Sequence, residues 1–174
     1  HSEQLIGSTF KNRRDKVVIA TKVGFIEHTE PQDFSRSNLV NSLHKSLRNL
    51  QTDYVDLYQL HSPKISEVNL YDIEESLGIL KMSGLIRAFG VSVKSPEDGL
   101  IVLNHTGFRS LQVNLSTIDQ RALDNNLLQL ASYSGVGIIA RTPLCFGFLT
   151  GKIKNLNFGP QDHRSLWPRE QLEA

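Results

Sequence analysis

The sequence predicts an α/β fold of parallel strands, an incomplete portion of about five β/α units from a (β/α)8 TIM barrel. Short apolar, β-branched runs alternate with amphipathic helical stretches in the order αβ αβ αβ αβ αβ, which implies a parallel sheet covered by helices. A doubly wound sheet satisfies the same order. Its dinucleotide-binding form, however, should show G-x-G-x-x-G after the first strand, and no such run occurs. Size points the same way: a whole barrel takes about 250 residues, roughly 30 per unit, and the 174 residues fit about five units. A single incomplete barrel domain over 1–174, with both ends removed, is therefore expected.

The elements follow in order along the chain. Ser2 is placed to cap a helix over Glu3-Gln4-Leu5-Ile6 that ends near Lys11-Asn12. Lys16 to Lys22 (KVVIATK) is an apolar, β-branched run and reads as a buried strand. Ser35 or Ser37 then caps a helix with Leu39, Leu43, Leu47 and Leu50 along one face. Tyr54 to Leu60 is the second strand, with His61 at its end. The next helix carries Ile73, Leu77 and Leu80, and Gly84 supplies its left-handed cap. Ile86 to Val91 is the third strand. Ser95-Pro96-Glu97 starts a helix with proline at its first position, and Gly107 is expected to close it. Ser110 to Leu115 is the fourth strand, a helix around Leu123–Tyr133 ends at Gly135, and Val136 to Ala140 is the fifth strand.

With 19 Lys+Arg against 18 Asp+Glu the net charge is +1, which argues against a nucleic-acid partner, because such proteins concentrate a basic excess on one face. Hydrophobic residues at 39% and charged residues at 21% supply a core and exclude a charge-driven disordered chain. No apolar run approaches the roughly 18 residues of a membrane span. No Lys/Arg-headed apolar leader is visible, so neither a membrane partner nor a signal peptide is expected. The single cysteine, Cys145, has no internal disulfide partner, which fits the cytoplasm. The chain opens on His1 and its one methionine is Met82. Since translation begins at Met, the natural start is expected to be processed, engineered or missing.

Active sites of barrels and open α/β sheets lie at the carboxyl ends of the strands. There the sequence sets Lys22, His61, Ser92, Gln112 with Asn114, and Arg141-Thr142. One lysine or histidine at such a place is ordinarily solvated or structural. Five successive strands that each deliver a polar or ionisable side chain to one rim point to function.

At this rim the residues resemble a known family. Ile19-Ala20-Thr21-Lys22, Ser46 to His61 (SLRNLQTDYVDLYQLH), Ile86 to Ser92 (IRAFGVS) and Gln112-Val113-Asn114-Leu115-Ser116 closely resemble the aldo-keto reductases. So do Arg141-Thr142-Pro143-Leu144 with Gly147, Leu149 and Thr150-Gly151-Lys152, and the resemblance runs from His1 to about Arg164. It implies a (β/α)8 barrel that binds NADPH in an extended pose without a Rossmann unit and transfers hydride to an aldehyde or ketone, its small-molecule partner. The family uses an Asp, a Tyr, a Lys and a His. The tyrosine protonates the developing alkoxide, and the lysine, paired with the aspartate, lowers the tyrosine pKa because a nearby cation favours phenolate. The histidine helps orient the carbonyl. Lys22 matches the family lysine and His61 its histidine. Ser2-Glu3 matches a pair that follows the tyrosine by a few residues, so the tyrosine and aspartate belong ahead of His1. None of Tyr54, Tyr58, Tyr71 or Tyr133 stands at a matching position.

The resemblance also implies the cofactor contacts for NADP(H). Ser92 and Gln112, with Asn114 nearby, hold the nicotinamide carboxamide; Val93 stands where relatives often have Asn or Arg. Arg141 takes a position that is frequently aromatic and stacks on the nicotinamide. A guanidinium plane stacks there too, although a cation opposes the charge the ring gains on oxidation. The segment Thr142, Pro143, Leu144, Cys145 and Phe146 runs along the pyrophosphate and offers backbone N–H groups from its non-proline residues, while Lys152 and Arg164 neutralise its charge. NADP preference is inherited from the family, since the eighth strand and its loop, which grip the 2′-phosphate, are not in the chain.

Gly147-Phe148-Leu149-Thr150-Gly151-Lys152 is not a P-loop: it has one spacer too few and continues into Ile153. The sequons at Asn104 and Asn114 fall within or beside packed elements and read as chance. His28, His44, His105 and His163 show no metal-ligand spacing, so no metal is expected. Asp56 reads as a structural residue. The leading expectation is an NADPH-dependent carbonyl reductase, present as a fragment without its Tyr and Asp, inactive alone and prone to self-association through open sheet edges. The alternative is a non-catalytic regulatory subunit that binds NADP(H), a role some channel-associated members of the family have. A degenerate piece is the third possibility, and the oligomeric state is left open.

Overall fold

The structure, a computed structural model, describes residues 1–25 and 31–170; His28 lies outside the described residues. Helices α1 (Ser2–Phe10), α2 (Arg36–Leu50), α3 (Leu70–Met82), α4 (Pro96–Val102), α5 (Arg121–Asp124) and α6 (Leu127–Tyr133) are interleaved with five strands. These are β1 (Ala20–Val23), β2 (Val55–His61), β3 (Ile86–Ser92), β4 (Ser110–Asn114) and β5 (Gly137–Arg141). All pair in parallel, in the order β1-β2-β3-β4-β5. The order never reverses, so successive right-handed crossovers return on the same side and the helices gather on one face. A doubly wound sheet reverses at a switch point; a barrel wall does not. The α/β barrel reading is therefore the one the topology selects.

Alternation along each strand sorts the side chains. Tyr58 and Leu60 of β2 face the helices with Leu39 and Leu43 of α2, all at 0% exposure, and the Tyr58 hydroxyl donates to the Leu39 carbonyl at 3.0 Å. Gln59 and His61, between and beyond them, take the opposite face. The helix starts follow from the sequence: Ser35 Oγ accepts from the Asn38 amide at 3.3 Å, and Ser95 Oγ accepts from Asp98 at 3.1 Å with Pro96 at the first helical position. Gly84, just past α3, has φ +78.

Strands β2 to β5 shift by one residue at one or both ends from the sequence expectation, and four other features differ for physical reasons. His1 occupies the cap of α1 without a side-chain bond, and Ser2 lies inside the helix. The first strand starts at Ala20, where pairing with Leu57 begins; ahead of it Arg14–Lys16 forms a 3-10 turn and Val18 is 84% exposed. Helix α4 ends at Val102. Gly107 is required for another reason, because a Cβ there would stand 2.5 Å from Glu74 Oε1 and 2.8 Å from the Phe89 ring. The helix expected around 123–133 is broken by Asn126, which is left-handed at φ 64.

Asp56 locks the amino-terminal end of the sheet. Its carboxylate accepts from Arg14 Nη2 at 2.6 Å and the Ile19 amide at 2.8 Å, with Arg87 at 3.5 Å. The Tyr54 ring lies between the Arg14 and Arg87 guanidinium groups, 4.0 and 4.2 Å away. Burial alone would raise the Asp56 pKa, but the Ile19 amide and the two arginines outweigh it and hold the carboxyl below its ordinary range. A group depressed in the folded state contributes stability that is present above its unfolded pKa and is lost as pH falls through the folded value. Asp56→Ala is therefore expected to lower the unfolding free energy by about 1.5–3 kcal/mol at neutral pH. The gap to the native protein should narrow below about pH 4. Urea titrations at both pH values check this, and an equal gap at each would place the effect in packing.

Candidate functional site

Parallel register lines up the helix-free face in rows. Lys22, Gln59, Gly90, Ser110 and Gly137 are successive partners across the sheet. One step toward the carboxyl ends, His61, Ser92, Gln112 and Ile139 form the next row. Asn114 pairs with Arg141 above it. Lys22, His61, Ser92, Gln112, Asn114 and Arg141 thus share one face, and Thr142 follows the last residue of β5.

The lower row is a polar floor. Gln59, 1% exposed, donates from Nε2 to Ser110 Oγ at 3.2 Å, reaching across Gly90. A Cβ at Gly90 would come 2.0 Å from Ser110 Oγ, so only glycine lets the two meet. Lys22 is exposed on the edge strand, and its ammonium makes no ion pair among the described residues. The His61 ring stands edge-on to Phe25 at 4.8 Å, and its carbonyl accepts from Gln32 Nε2 at 2.5 Å.

At the rim, Arg141 reaches over the ends of the neighbouring strands. Its Nε donates to Asn114 Oδ1 at 2.7 Å, and its Nη1 to Ser62 Oγ at 3.2 Å and Ser92 Oγ at 3.4 Å. Burial lowers the Arg141 pKa. Ser92 is 1% exposed, and its hydroxyl has only these long contacts, including Ser62 Oγ at 3.4 Å. The half-buried Gln112 side chain makes no hydrogen bond among the described residues. Ser62, not singled out in the sequence, is the link between β2 and β3; the one signal for it was a second polar residue after His61. It is left-handed at φ 54.

Beyond β5 the backbone coils. Leu144 (φ −100, ψ 15) is followed by the left-handed Cys145 (φ 48) and Phe146 (φ 55). Such a change of hand can turn neighbouring N–H groups to one side; here the Cys145 amide is spent on the Thr142 carbonyl at 2.8 Å, and the Leu144 and Phe146 amides donate to no described backbone carbonyl. Thr142 Oγ1 donates to the Arg141 carbonyl at 2.7 Å and stands 3.4 Å from Asn114 Oδ1. Arg164 donates to the Phe146 carbonyl at 2.8 Å and grips Asp162 through Nε and Nη2 at 2.9 and 2.5 Å. Its charge is matched there, and the same hydrogen bonds hold the Asp162 carboxyl down at about 2. Lys152 makes no ion pair among the described residues.

None of the four tyrosines reaches this rim. Tyr58 faces α2, where burial pushes its hydroxyl pKa up; Tyr54 lies between two arginines; Tyr71 packs on His105; and Tyr133 is 78% exposed. Asp56 is a structural residue, as its partners show. Among the described residues no three or more His, Cys, Asp or Glu are placed to hold a metal, and no helix is long and apolar enough to cross a membrane.

A model of the Aldo/keto reductase family matches residues 1–173. The chain is 32% identical over 155 residues to the uncharacterized oxidoreductase YqkF of Bacillus subtilis, covering 87% of this chain and 50% of that protein. It is also 32% identical to the aldo-keto reductase YhdN of the same organism, over 98% of this chain and 52% of the relative. The holo form of aldo-keto reductase AKR11C1 from Bacillus halodurans superposes with TM-score 0.75 at 32% identity, over 92% of this chain and 52% of that one. The chain thus spans about half the length of the relatives it matches.

Backbone strain at Ser62 gives a test of the rim. A non-glycine residue held at positive φ costs on the order of 1–3 kcal/mol. Ser62→Gly is expected to match or exceed the native stability, while the β-branched Ser62→Val should lose about 1–3 kcal/mol. Equal denaturation midpoints for the two variants would refute the strain.

Proposed function

This chain belongs to the aldo/keto reductase family, and from that premise we propose that it forms the cofactor-facing part of an NADP(H)-dependent cytoplasmic oxidoreductase that reduces an aldehyde or ketone. The observation that carries this reading is the alignment of Lys22, His61, Ser92, Gln112, Asn114 and Arg141 on one helix-free sheet face at the carboxyl ends of the strands.

The residues present fit a nicotinamide cofactor. A buried hydroxyl with only long partners at Ser92 and an unpartnered amide at Gln112 complement a planar carboxamide, which needs both a donor and an acceptor. The Thr142–Phe146 segment, with Pro143, Leu144 and Cys145 between, has the handedness that receives a pyrophosphate, and Lys152 offers unmatched charge beside it. Arg164 orders the loop through the Phe146 carbonyl. When bound, the cofactor supplies the hydride equivalent.

The chain's own residues do the rest. Ser92, Gln112 and Asn114 hold the carboxamide and so fix which ring face meets the carbonyl. Arg141 would offer its guanidinium plane to the ring. His61 donates a hydrogen bond that orients the carbonyl oxygen. Lys22 sits where its charge lowers the pKa of the acid that protonates that oxygen, which in the family is a tyrosine ahead of the Ser2-Glu3 pair. The alternative reading is cofactor binding without turnover.

The deciding protein is one that carries this chain together with an aspartate and a tyrosine ahead of Ser2-Glu3. It is expected to bind NADPH and to reduce simple aldehydes. Lys22→Met and His61→Ala should each lower kcat by about 10²–10⁴-fold, with the NADPH Kd from fluorescence titration roughly unchanged. Near-normal rates in both variants would sink the site assignment. Tight NADPH binding with no turnover of any carbonyl would select the regulatory reading.

A further inference from the structure

Arg141 is a half-buried cation without an anion. The two other well-covered arginines are each matched: Arg14, with its side chain 15% exposed, on Asp56, and Arg164, at 20%, on Asp162. Arg141 meets only the neutral oxygens of Asn114, Ser62 and Ser92, and no ion pair forms to it among the described residues. Taking a charge out of water without a counter-ion is costly. A fold keeps such a group where a ligand completes it.

The contacts also fix how the guanidinium is presented. Nε is spent on Asn114 and Nη1 on the two serines. Nη2 makes no hydrogen bond among the described residues, so its N–H pair is open to an incoming oxygen. The Ser62 hydroxyl beside it can rotate to donate. We infer that Arg141 and Ser62 form an oxyanion subsite at the rim, and that it receives the carboxylate or phosphate of an anionic carbonyl substrate.

This inference rests on reading the rim as a reductase site, and it adds the substrate class. It also resolves the electrostatic conflict of a cation beside a ring that turns positive on giving up hydride. The face and the edge of a guanidinium are separate surfaces. The face could lie against the ring while the edge takes the oxyanion, whose charge would offset the repulsion. An anionic substrate thus gains in kcat as well as in KM, because the pairing matters most as the ring charge develops.

The test compares 3- and 4-carboxybenzaldehyde with 3- and 4-methylbenzaldehyde in the protein that carries this chain, native and as Arg141→Met and Arg141→Lys. Calorimetric titration of benzoate and of inorganic phosphate, without cofactor, runs beside it. The native protein should prefer a carboxylated aldehyde by about ten- to a hundredfold in kcat/KM, the range of one charge-assisted hydrogen bond. Arg141→Met should bring the ratio near one, and Arg141→Lys should keep part of it. The anion that binds in the titration tells carboxylate from phosphate, and its binding should vanish in Arg141→Met. A native ratio near one, or a ratio unchanged in Arg141→Met, overturns the inference. So does a loss of NADPH affinity in Arg141→Met with the ratio intact, which would give the cation to a cofactor phosphate. If no aldehyde is reduced and no NADPH binds, the reductase reading fails. The anion titration then decides the subsite alone: binding that depends on Arg141 supports it, and no binding overturns it.

Discussion

The strand order without a reversal is the constraint from which the rest follows. Because every crossover returns to the same side, one face of the sheet receives all the helices and the other receives none. The covered face is apolar for ordinary reasons: Tyr58, Leu60, Val91, Leu111 and Val113 are buried against helices that present Leu39, Leu43 and Leu77. The bare face is free to be polar. Gln59, Ser92 and Ser110 are nearly as buried, and their side-chain hydrogen bonds run to one another and to residues at the rim. A period of two along each strand then does the sorting, and register carries it from strand to strand.

Much of this was legible in the sequence, and the exceptions have physical causes. Ser35, Ser95-Pro96 and the leucine stripe of α2 act through local geometry, so they read correctly from neighbours alone. The run Lys16 to Ile19 looks like a strand by composition, but a strand is defined by its partner, and β1 finds one only from Ala20 onward. Asn126 divided what looked like a single helix because an asparagine tolerates the left-handed region at little cost. Gly107 was read as a cap, whereas its smallness serves a tertiary contact with Glu74 and Phe89. At the rim, Lys22, His61, Ser92, Gln112, Asn114 and Arg141 were visible because strand ends concentrate function. Ser62 was not, since its importance lies in a bond to Arg141, seventy-nine residues away in the chain.

Charge is treated in opposite ways at the two ends of the sheet. At the amino-terminal ends, Asp56 gathers Arg14, Arg87 and the Ile19 amide, so opposite charges meet there. At the carboxyl ends, Lys22 and Arg141 are left without anions among the described residues. A matched cluster serves cohesion, and an unmatched one holds electrostatic potential in reserve for something that arrives. The Arg164–Asp162 pair belongs with the first kind although it lies near the second, since it ties the loop after β5 to the segment that follows.

Asp56 and His61 lie on the same strand, β2, separated by about 16 Å at the usual rise of a strand. Substitutions that far apart, with no shared partner, combine additively. Mutational load at the rim and tolerance for it at the base are therefore independent variables. A lineage, or a laboratory selection, can strengthen the base first and then explore rim sequences that alone would leave the chain unfolded. The length of a single strand thus sets how freely this protein's chemistry can diversify.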